Sequence, residues 1–223
     1  MVALLVALTF IAAIVIDGLV RRGREVRKTV ELTSFARQTL KLAPSYPAGY
    51  FLSEGHTWLN LRASGNLQVG LDEMIGRLVG KVTKVQFKNV GEEVRKGEPL
   101  AVLYQGEKRI TLYSPIDGVV IQKNSEMEKS PQRFGVDSYK NGWFYQIRPK
   151  NLSEDLKNFK IAEKTKAWWS QELNRLREFV RGHVPQEALA GQTLADGGTS
   201  IDGLVEHFNT KTTEEFEAQF LHR

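Results

Sequence analysis

The chain opens with an uninterrupted run of hydrophobic residues. Residues 2–16 read VALLVALTFIAAIVI, in which Thr9 is the only polar residue, and Leu19 and Val20 extend the stretch beyond Asp17. A helix over these residues would rise by about 1.5 Å per residue and reach roughly 28 Å, close to the hydrocarbon thickness of a bilayer. The pattern predicts a transmembrane helix at residues 1–20.

Basic residues follow this hydrophobic run, whereas a cleaved signal peptide would carry them before it. The positive-inside rule then predicts a single-pass protein of a bacterial-type inner membrane, with everything after the span in the cytoplasm. Residues 21–49 are interpreted as a basic juxtamembrane segment and linker that contacts the membrane surface. The basic residues are Arg21, Arg22, Arg24, Arg27 and Lys28.

The middle of the chain has a different pattern. From residue 50 to about residue 149, short runs rich in Val, Ile, Leu, Phe and Tyr are separated by regularly spaced glycines. This spacing is typical of many short strands in a mainly β domain, a sandwich or a barrel. The predicted domain covers residues 50–164.

The last stretch, residues 165–223, is predicted to be a helical extension. Trp169, Leu173, Leu176 and Val180 follow one another at spacings of four, three and four, which places them on one face of a helix. Near the end of the chain, Thr212 and Glu215 form a capping-box pattern that predicts another helix start.

The adjacent Trp168 and Trp169 allow two interpretations. Such residues most often pack in a core, but exposed aromatic side chains would instead form a surface for docking a partner protein. Both interpretations are kept at this point.

Composition and charge narrow the class of protein. The 223 residues are 41% hydrophobic and carry a formal net charge of +5, but residues 21–28 alone carry +4. Residues 29–223 carry only +2, so the charge gives no reason to expect a nucleic-acid partner. The chain has no cysteine and four scattered histidines, so neither a disulfide nor a metal site is expected.

Five short motifs follow one another in the β region, and in this order and spacing they resemble the H protein of the glycine cleavage system. They are residues 55–59 (GHTWL), 69–72 (VGLD), 90–100 (VGEEVRKGEPL), 112–118 (LYSPIDG) and 142–143 (GW). The resemblance implies a barrel-sandwich hybrid of the lipoyl/biotinyl type. It also implies a non-catalytic carrier protein that works with other protein subunits.

The family carries lipoate on a lysine at a hairpin tip that reads Glu-Ser-Val-Lys-Ala. Counting from both flanking motifs without a gap aligns this tip with residues 104–108, YQGEK, so the lysine position is occupied by Glu107. A carboxylate cannot form the amide to lipoate. Lys108 is the alternative acceptor, but a slip of one residue turns a strand side chain to the other face, so it is predicted to be a solvated turn lysine.

No catalytic motif is recognisable, and His56 is interpreted as a hydrogen-bonded strand histidine because no partner stands at a triad spacing from it. The leading hypothesis is therefore a membrane-tethered scaffold or accessory subunit of a cytoplasm-facing complex, without a cofactor. The candidate contact residues at the hairpin are Tyr104, Gln105, Gly106 and Arg109, together with the tryptophan pair.

Two alternatives remain. One is a working lipoyl carrier of the glycine cleavage type, modified at Lys108. The other is a periplasmic adaptor with a lipoyl-like domain. The few residues between the two strands at Gly106 argue against the adaptor, because adaptors separate their lipoyl halves by a long helical hairpin.

Overall fold

The computed structural model describes residue 17 and residues 47–135, 137–161, 165–183 and 202–223. The predicted transmembrane helix, apart from Asp17, and the basic residues 21–28 lie outside this part of the chain. Among the described residues, no helix combines the length and apolar character that a membrane crossing requires.

In the part of the chain that the structure describes, ten short strands form two antiparallel sheets. The larger sheet has the order β10-β1-β2-β3-β9-β8-β5 and the smaller one the order β4-β6-β7. The strands are β1 (Tyr50–Leu52), β2 (Thr57–Leu61), β3 (Leu67–Leu71), β4 (Lys84–Phe87), β5 (Glu93–Val94), β6 (Pro99–Gln105), β7 (Lys108–Tyr113), β8 (Gly118–Lys123), β9 (Trp143–Pro149) and β10 (Lys160–Ile161). The prediction of a mainly β domain is confirmed.

Helices connect and follow the strands. They are α1 (Glu73–Val79), α2 (Ser125–Lys129), α3 (Leu152–Lys157), α4 (Thr165–His183) and α5 (Thr210–Phe216), with 3-10 turns at Pro131–Arg133 and Leu204–His207 and a π turn at Glu217–Leu221. The predicted C-terminal helices are therefore present. Helix α5 begins before the predicted capping box, because the side chain of Asn209 accepts a hydrogen bond from the Thr212 amide at 2.8 Å and caps it.

The core lies between the two sheets, and Tyr145 connects them. Its ring is fully buried on β9, and its hydroxyl donates to the Leu100 carbonyl on β6 at 2.9 Å. The same oxygen accepts the Lys88 amide at 2.6 Å, beyond the end of β4. Burial raises the pKa of Tyr145, so the phenol stays protonated and keeps its donor.

The helical extension packs onto this domain through its apolar face. Trp169, Leu173, Leu176 and Val180 are all buried, as their spacing predicts. Phe179 lies at the centre of an aromatic cluster, with ring centroids 5.6–6.0 Å from its neighbours Phe208, Phe216 and Phe220. Residues 202–223 are therefore part of the same packed core.

One close backbone contact gives a stability prediction. Gly76 in helix α1 lies against Gly135, and a Cβ at residue 76 would fall 2.9 Å from the Gly135 Cα. Alanine normally stabilises a helix relative to glycine. Here we expect Gly76→Ala to lower the free energy of unfolding by about 1–3 kcal/mol, because backbone atoms would have to move apart.

Urea denaturation checks this expectation, with Gly182→Ala in helix α4 as the matched control. A Cβ at Gly182 meets nothing within 4 Å. The control should be neutral or stabilising by up to about 1 kcal/mol. Equal effects of the two substitutions would contradict the proposed close contact.

Candidate functional site

The hairpin that joins β6 to β7 ends in a two-residue turn. Gln105 pairs with Lys108, which leaves Gly106 and Glu107 as the two turn residues. Gly106 has φ +62°, the left-handed conformation that such tight turns require and that glycine adopts without strain. Both turn residues are exposed. The structure therefore places Glu107 at the tip of a tight hairpin.

The other predicted contact residues at the hairpin differ in accessibility. Arg109 is exposed and Tyr104 is half-buried, with its hydroxyl donating to Gln86 Oε1 at 2.7 Å. Gln105 is buried, and its amide donates to the carbonyls of Val79 and Lys81. The prediction of Gln105 as a surface contact is wrong, because its side chain anchors the hairpin to the end of helix α1.

Lys108 is not the solvated lysine that the sequence predicted. Its Nζ donates to three backbone carbonyls of the C-terminal segment, Glu206 at 2.6 Å, Val205 at 2.9 Å and Phe208 at 3.2 Å. The Val205 carbonyl also accepts the Phe208 amide at 3.1 Å. A lysine near the end of a helical turn can hydrogen-bond the last carbonyls of that turn. Burial lowers the pKa of Lys108, and the nearby Glu206 carboxylate partly opposes that effect.

A polar cavity of about 530 Å³ lies between the β6–β7 hairpin and helix α5. The hairpin residues Glu107, Lys108 and Arg109 line one side of it, and Thr213 and Glu217 line the other. Burial raises the pKa of the Glu217 carboxyl, while hydrogen bonds from Thr111 oppose that effect. The hairpin and the C-terminal residues therefore line the same cavity.

The tryptophan pair lies in the interior. Trp168 and Trp169 are 9% and 4% exposed, and their rings lie 5.1 and 5.6 Å from the imidazole of His56. Of the two interpretations, core packing agrees with this position. The predicted docking surface at these residues is wrong, because helix α4 turns both rings toward the β domain.

His56 is the centre of a buried ion cluster. It is completely buried, with Nδ1 2.5 Å from Asp72 Oδ2 and Nε2 3.6 Å from Glu172 Oε2. Asp72 also caps helix α1 by accepting the Ile75 amide at 2.9 Å. Glu172 in turn binds the guanidinium of Arg175 at 2.6 Å. His56 is hydrogen-bonded, as the sequence analysis interpreted it, but it lies in the turn before β2 rather than in a strand. Sequence spacing did not indicate Asp72 and Glu172 as its partners.

The charges in this cluster support one another. Burial disfavours the imidazolium and is the largest single influence, but Asp72 and Glu172 together outweigh it and raise the pKa of His56 to about 8. Burial would likewise raise the pKa of Glu172, yet His56 and Arg175 hold it below its ordinary value. The cluster is therefore a cation between two carboxylates at neutral pH.

The cluster is structural. The imidazole has no exposed surface that a substrate could reach. The two carboxylates lie at opposite nitrogens of the ring and do not converge on one point, and the described residues contain no group suited to hold a metal ion. One feature of the sequence indicates this ion cluster: Glu172 interrupts the apolar helix face that contains Trp169 and Leu176. A carboxylate on a buried helix face needs a partner.

Comparison with known proteins identifies the β domain. The model of the family described as "Glycine cleavage H-protein" matches residues 50–172. A probable glycine cleavage system H protein of Pyrococcus abyssi is 33% identical over 116 residues, which cover 52% of this chain and 86% of that protein. The glycine cleavage system H protein of Shewanella halifaxensis is 32% identical over 117 residues, covering 52% and 90%.

A solved structure is also similar. The crystal structure of a glycine cleavage system H protein from Mycobacterium marinum matches with a TM-score of 0.48 and 20% sequence identity, over 57% of this chain and 98% of that one.

The His56 cluster predicts how stability depends on pH. The pKa of His56 is about 8 in the folded chain, whereas the ordinary value, taken for the unfolded chain, is 6.5. Its contribution is therefore complete below pH 6.5 and is lost as pH rises through 8. We expect the free energy of unfolding to fall by roughly 2 kcal/mol over this window, at 1.36 kcal/mol per pKa unit.

Urea denaturation between pH 6 and 9 measures this loss, and an NMR titration of the His56 ring assigns it. In Glu172→Gln one carboxylate is missing, so the decrease should become smaller. A stability that stays flat from pH 6 to 9 in the unmodified chain would contradict the assignment.

Proposed function

Because the chain belongs to the glycine cleavage H-protein family, we propose that it is a non-catalytic, membrane-tethered member whose lipoyl site is degenerate. It serves as a scaffold or accessory subunit of a cytoplasm-facing protein complex. Proteins of this family are carriers of lipoate that act together with other protein components of glycine cleavage. The proposal retains the association with other proteins and replaces the carrier role.

The identity of the residue at the hairpin tip carries the proposal. Lipoate attachment forms an amide and needs an amine, and the two residues of the tip are Gly106 and Glu107. Neither offers one. The residues present at the tip therefore do not fit the cofactor, and no transfer step through lipoate is assigned to this chain.

The position of Lys108 supports the same conclusion. Its three donor hydrogens point to three carbonyls at 2.6–3.2 Å. An acylated lysine is neutral and keeps a single N–H, so modification would leave at least two of these carbonyls without their donor. The bonds to Val205 and Phe208 are partly buried, and a carbonyl shielded from water that loses a partner is costly. The carrier alternative at Lys108 therefore works against the packing of the C-terminal segment.

The membrane attachment is supported by the sequence of residues 1–28. A hydrophobic run long enough to span a bilayer is followed by a +4 cluster. A basic cluster of this kind favours the cytoplasmic side and binds anionic headgroups. The exposed hairpin residues Gly106, Glu107 and Arg109 are then presented to partner proteins on the cytoplasmic side.

The first test is the mass of the intact protein after expression in a lipoate-competent host. We expect the unmodified sequence to carry no lipoyl group. Glu107→Lys restores an amine at the tip, and we expect it to gain the mass of one lipoyl group, because the two-residue turn presents that position to a modifying enzyme.

The double variant Glu107→Lys with Lys108→Arg is the matched control, and it should be lipoylated to the same extent as Glu107→Lys alone. A lipoyl mass on the unmodified sequence that disappears in Lys108→Arg would overturn the proposal and establish the carrier alternative.

The second test concerns topology. In spheroplasts, external protease should leave residues 50–223 intact, and digestion should require lysis, because the positive-inside rule places them in the cytoplasm. An antibody to a C-terminal tag reports the outcome, with a periplasmic protein as the control for access. Digestion from outside would support the periplasmic adaptor instead.

A further inference from the structure

The C-terminal segment, residues 202–223, runs over the domain as a strap and is held at both ends. At its start, Asp202 accepts two hydrogen bonds from the Arg77 guanidinium, at 2.6 and 3.0 Å. At its end, Arg223 lies 3.3 Å from Glu172 in the buried cluster, and His222 stacks on Tyr113 with centroids 4.1 Å apart. The strap thus spans from helix α1 to strand β7.

The strap contributes apolar side chains to the core. Leu204, Val205 and Phe208 in its first half are 0–5% exposed, as are Phe216 and Phe220 in its second half. Glu206 adds a hydrogen bond from the Lys81 amide at 2.8 Å. Opening the strap therefore exposes buried apolar surface, so it is a local unfolding step with its own free energy.

The first half of the strap also binds the amine of Lys108. All three hydrogen-bond acceptors of Nζ are strap carbonyls, those of Val205, Glu206 and Phe208. A nucleophilic amine must be neutral and must present its lone pair to the electrophile. An ammonium that donates all three hydrogens to carbonyls does neither.

We propose that the C-terminal strap is an autoinhibitory guard of the hairpin amine. While the strap is bound, Lys108 is closed to acyl donors, and local release of residues 202–208 opens it. The guard goes beyond the proposed function, because it governs the chemistry of Lys108 whether or not a partner binds the tip.

The test is competitive acylation of the full chain with a water-soluble activated acetyl ester. The amine nitrogen forms the amide bond to the carbonyl carbon, the activating alcohol leaves, and the amine proton passes to the buffer. Peptide mass spectrometry then gives a rate for each lysine. Lys129 and Lys157 are references, since their side chains are 72% and 65% exposed.

We expect Lys108 to react at least about tenfold more slowly than the two references, because its reaction requires local opening. A rate for Lys108 equal to that of the references would overturn the proposal.

Two valine truncations separate local release from global unfolding. Val205→Ala weakens the strap, whereas Val120→Ala removes the same atoms from β8 in the large sheet, and both side chains are 0% exposed. We expect Val205→Ala to accelerate acylation of Lys108 about tenfold. The substitution removes two buried carbon atoms that hold the strap closed, and their burial corresponds to a factor of about ten in the opening equilibrium. We expect no acceleration in Val120→Ala.

Equal acceleration in both variants would mean that the amine opens only with the whole domain, and this would overturn the guard. The lipoate test is independent of this result. A guard that fails leaves Glu107 at the tip and the proposed function unaffected. A lipoyl mass on the unmodified sequence is read from the intact protein before any acetyl ester is added, and it would refute the proposed function.

Discussion

The ion cluster around His56 is the interaction that connects the β domain to the helices packed on it. A fully buried imidazolium has no solvent to stabilise it, so both of its nitrogens require carboxylates, and Asp72 and Glu172 provide them. His56 itself holds the left-handed conformation at φ +59°, which a non-glycine residue adopts only when its surroundings enforce it. Three distant parts of the chain are thereby fixed together: the turn before β2, the cap of helix α1 and the buried face of helix α4.

The hairpin tip depends on this cluster through the strap. Glu172 binds Arg223 as well as His56, so the end of the chain is held at the same point. From there the strap passes β7 and supplies the carbonyls that bind Lys108. The buried amide of Gln105 donates to the Val79 carbonyl and so fixes the other strand of the hairpin to the end of helix α1. Both strands next to the tip are therefore attached to the helical part of the structure, and only Gly106 and Glu107 project from it.

Local pattern was sufficient to predict the mainly β domain, the C-terminal helices and the hairpin turn at Gly106 and Glu107, because strand spacing, helix faces and turn positions depend on neighbours in sequence. Trp169, Leu173, Leu176 and Val180 form one buried face as their spacing indicates. The partners of Lys108 and His56 could not be found in this way. Lys108 binds a carbonyl 97 residues away, and no spacing rule relates two residues that meet only after the chain has folded. The prediction that the tryptophans and Gln105 are exposed was wrong for the same reason, since each side chain is covered by a distant segment.

The physical setting of residue 107 bears on why a glutamate stands there. In a packed position, a change from lysine to glutamate would alter folding, and stability would constrain the choice. Glu107 is instead an exposed turn residue outside the β6–β7 pairing, so folding tolerates either charge at this position. Under the proposed function, the remaining constraint is the contact of the tip with partner proteins. A lysine there offers an amine for acylation, whereas a glutamate offers a fixed negative charge on a rigid hairpin. A fixed charge selects partners by electrostatic complementarity and forms no covalent bond. The fold needed for presenting a carrier arm is thus equally suited to presenting a recognition surface.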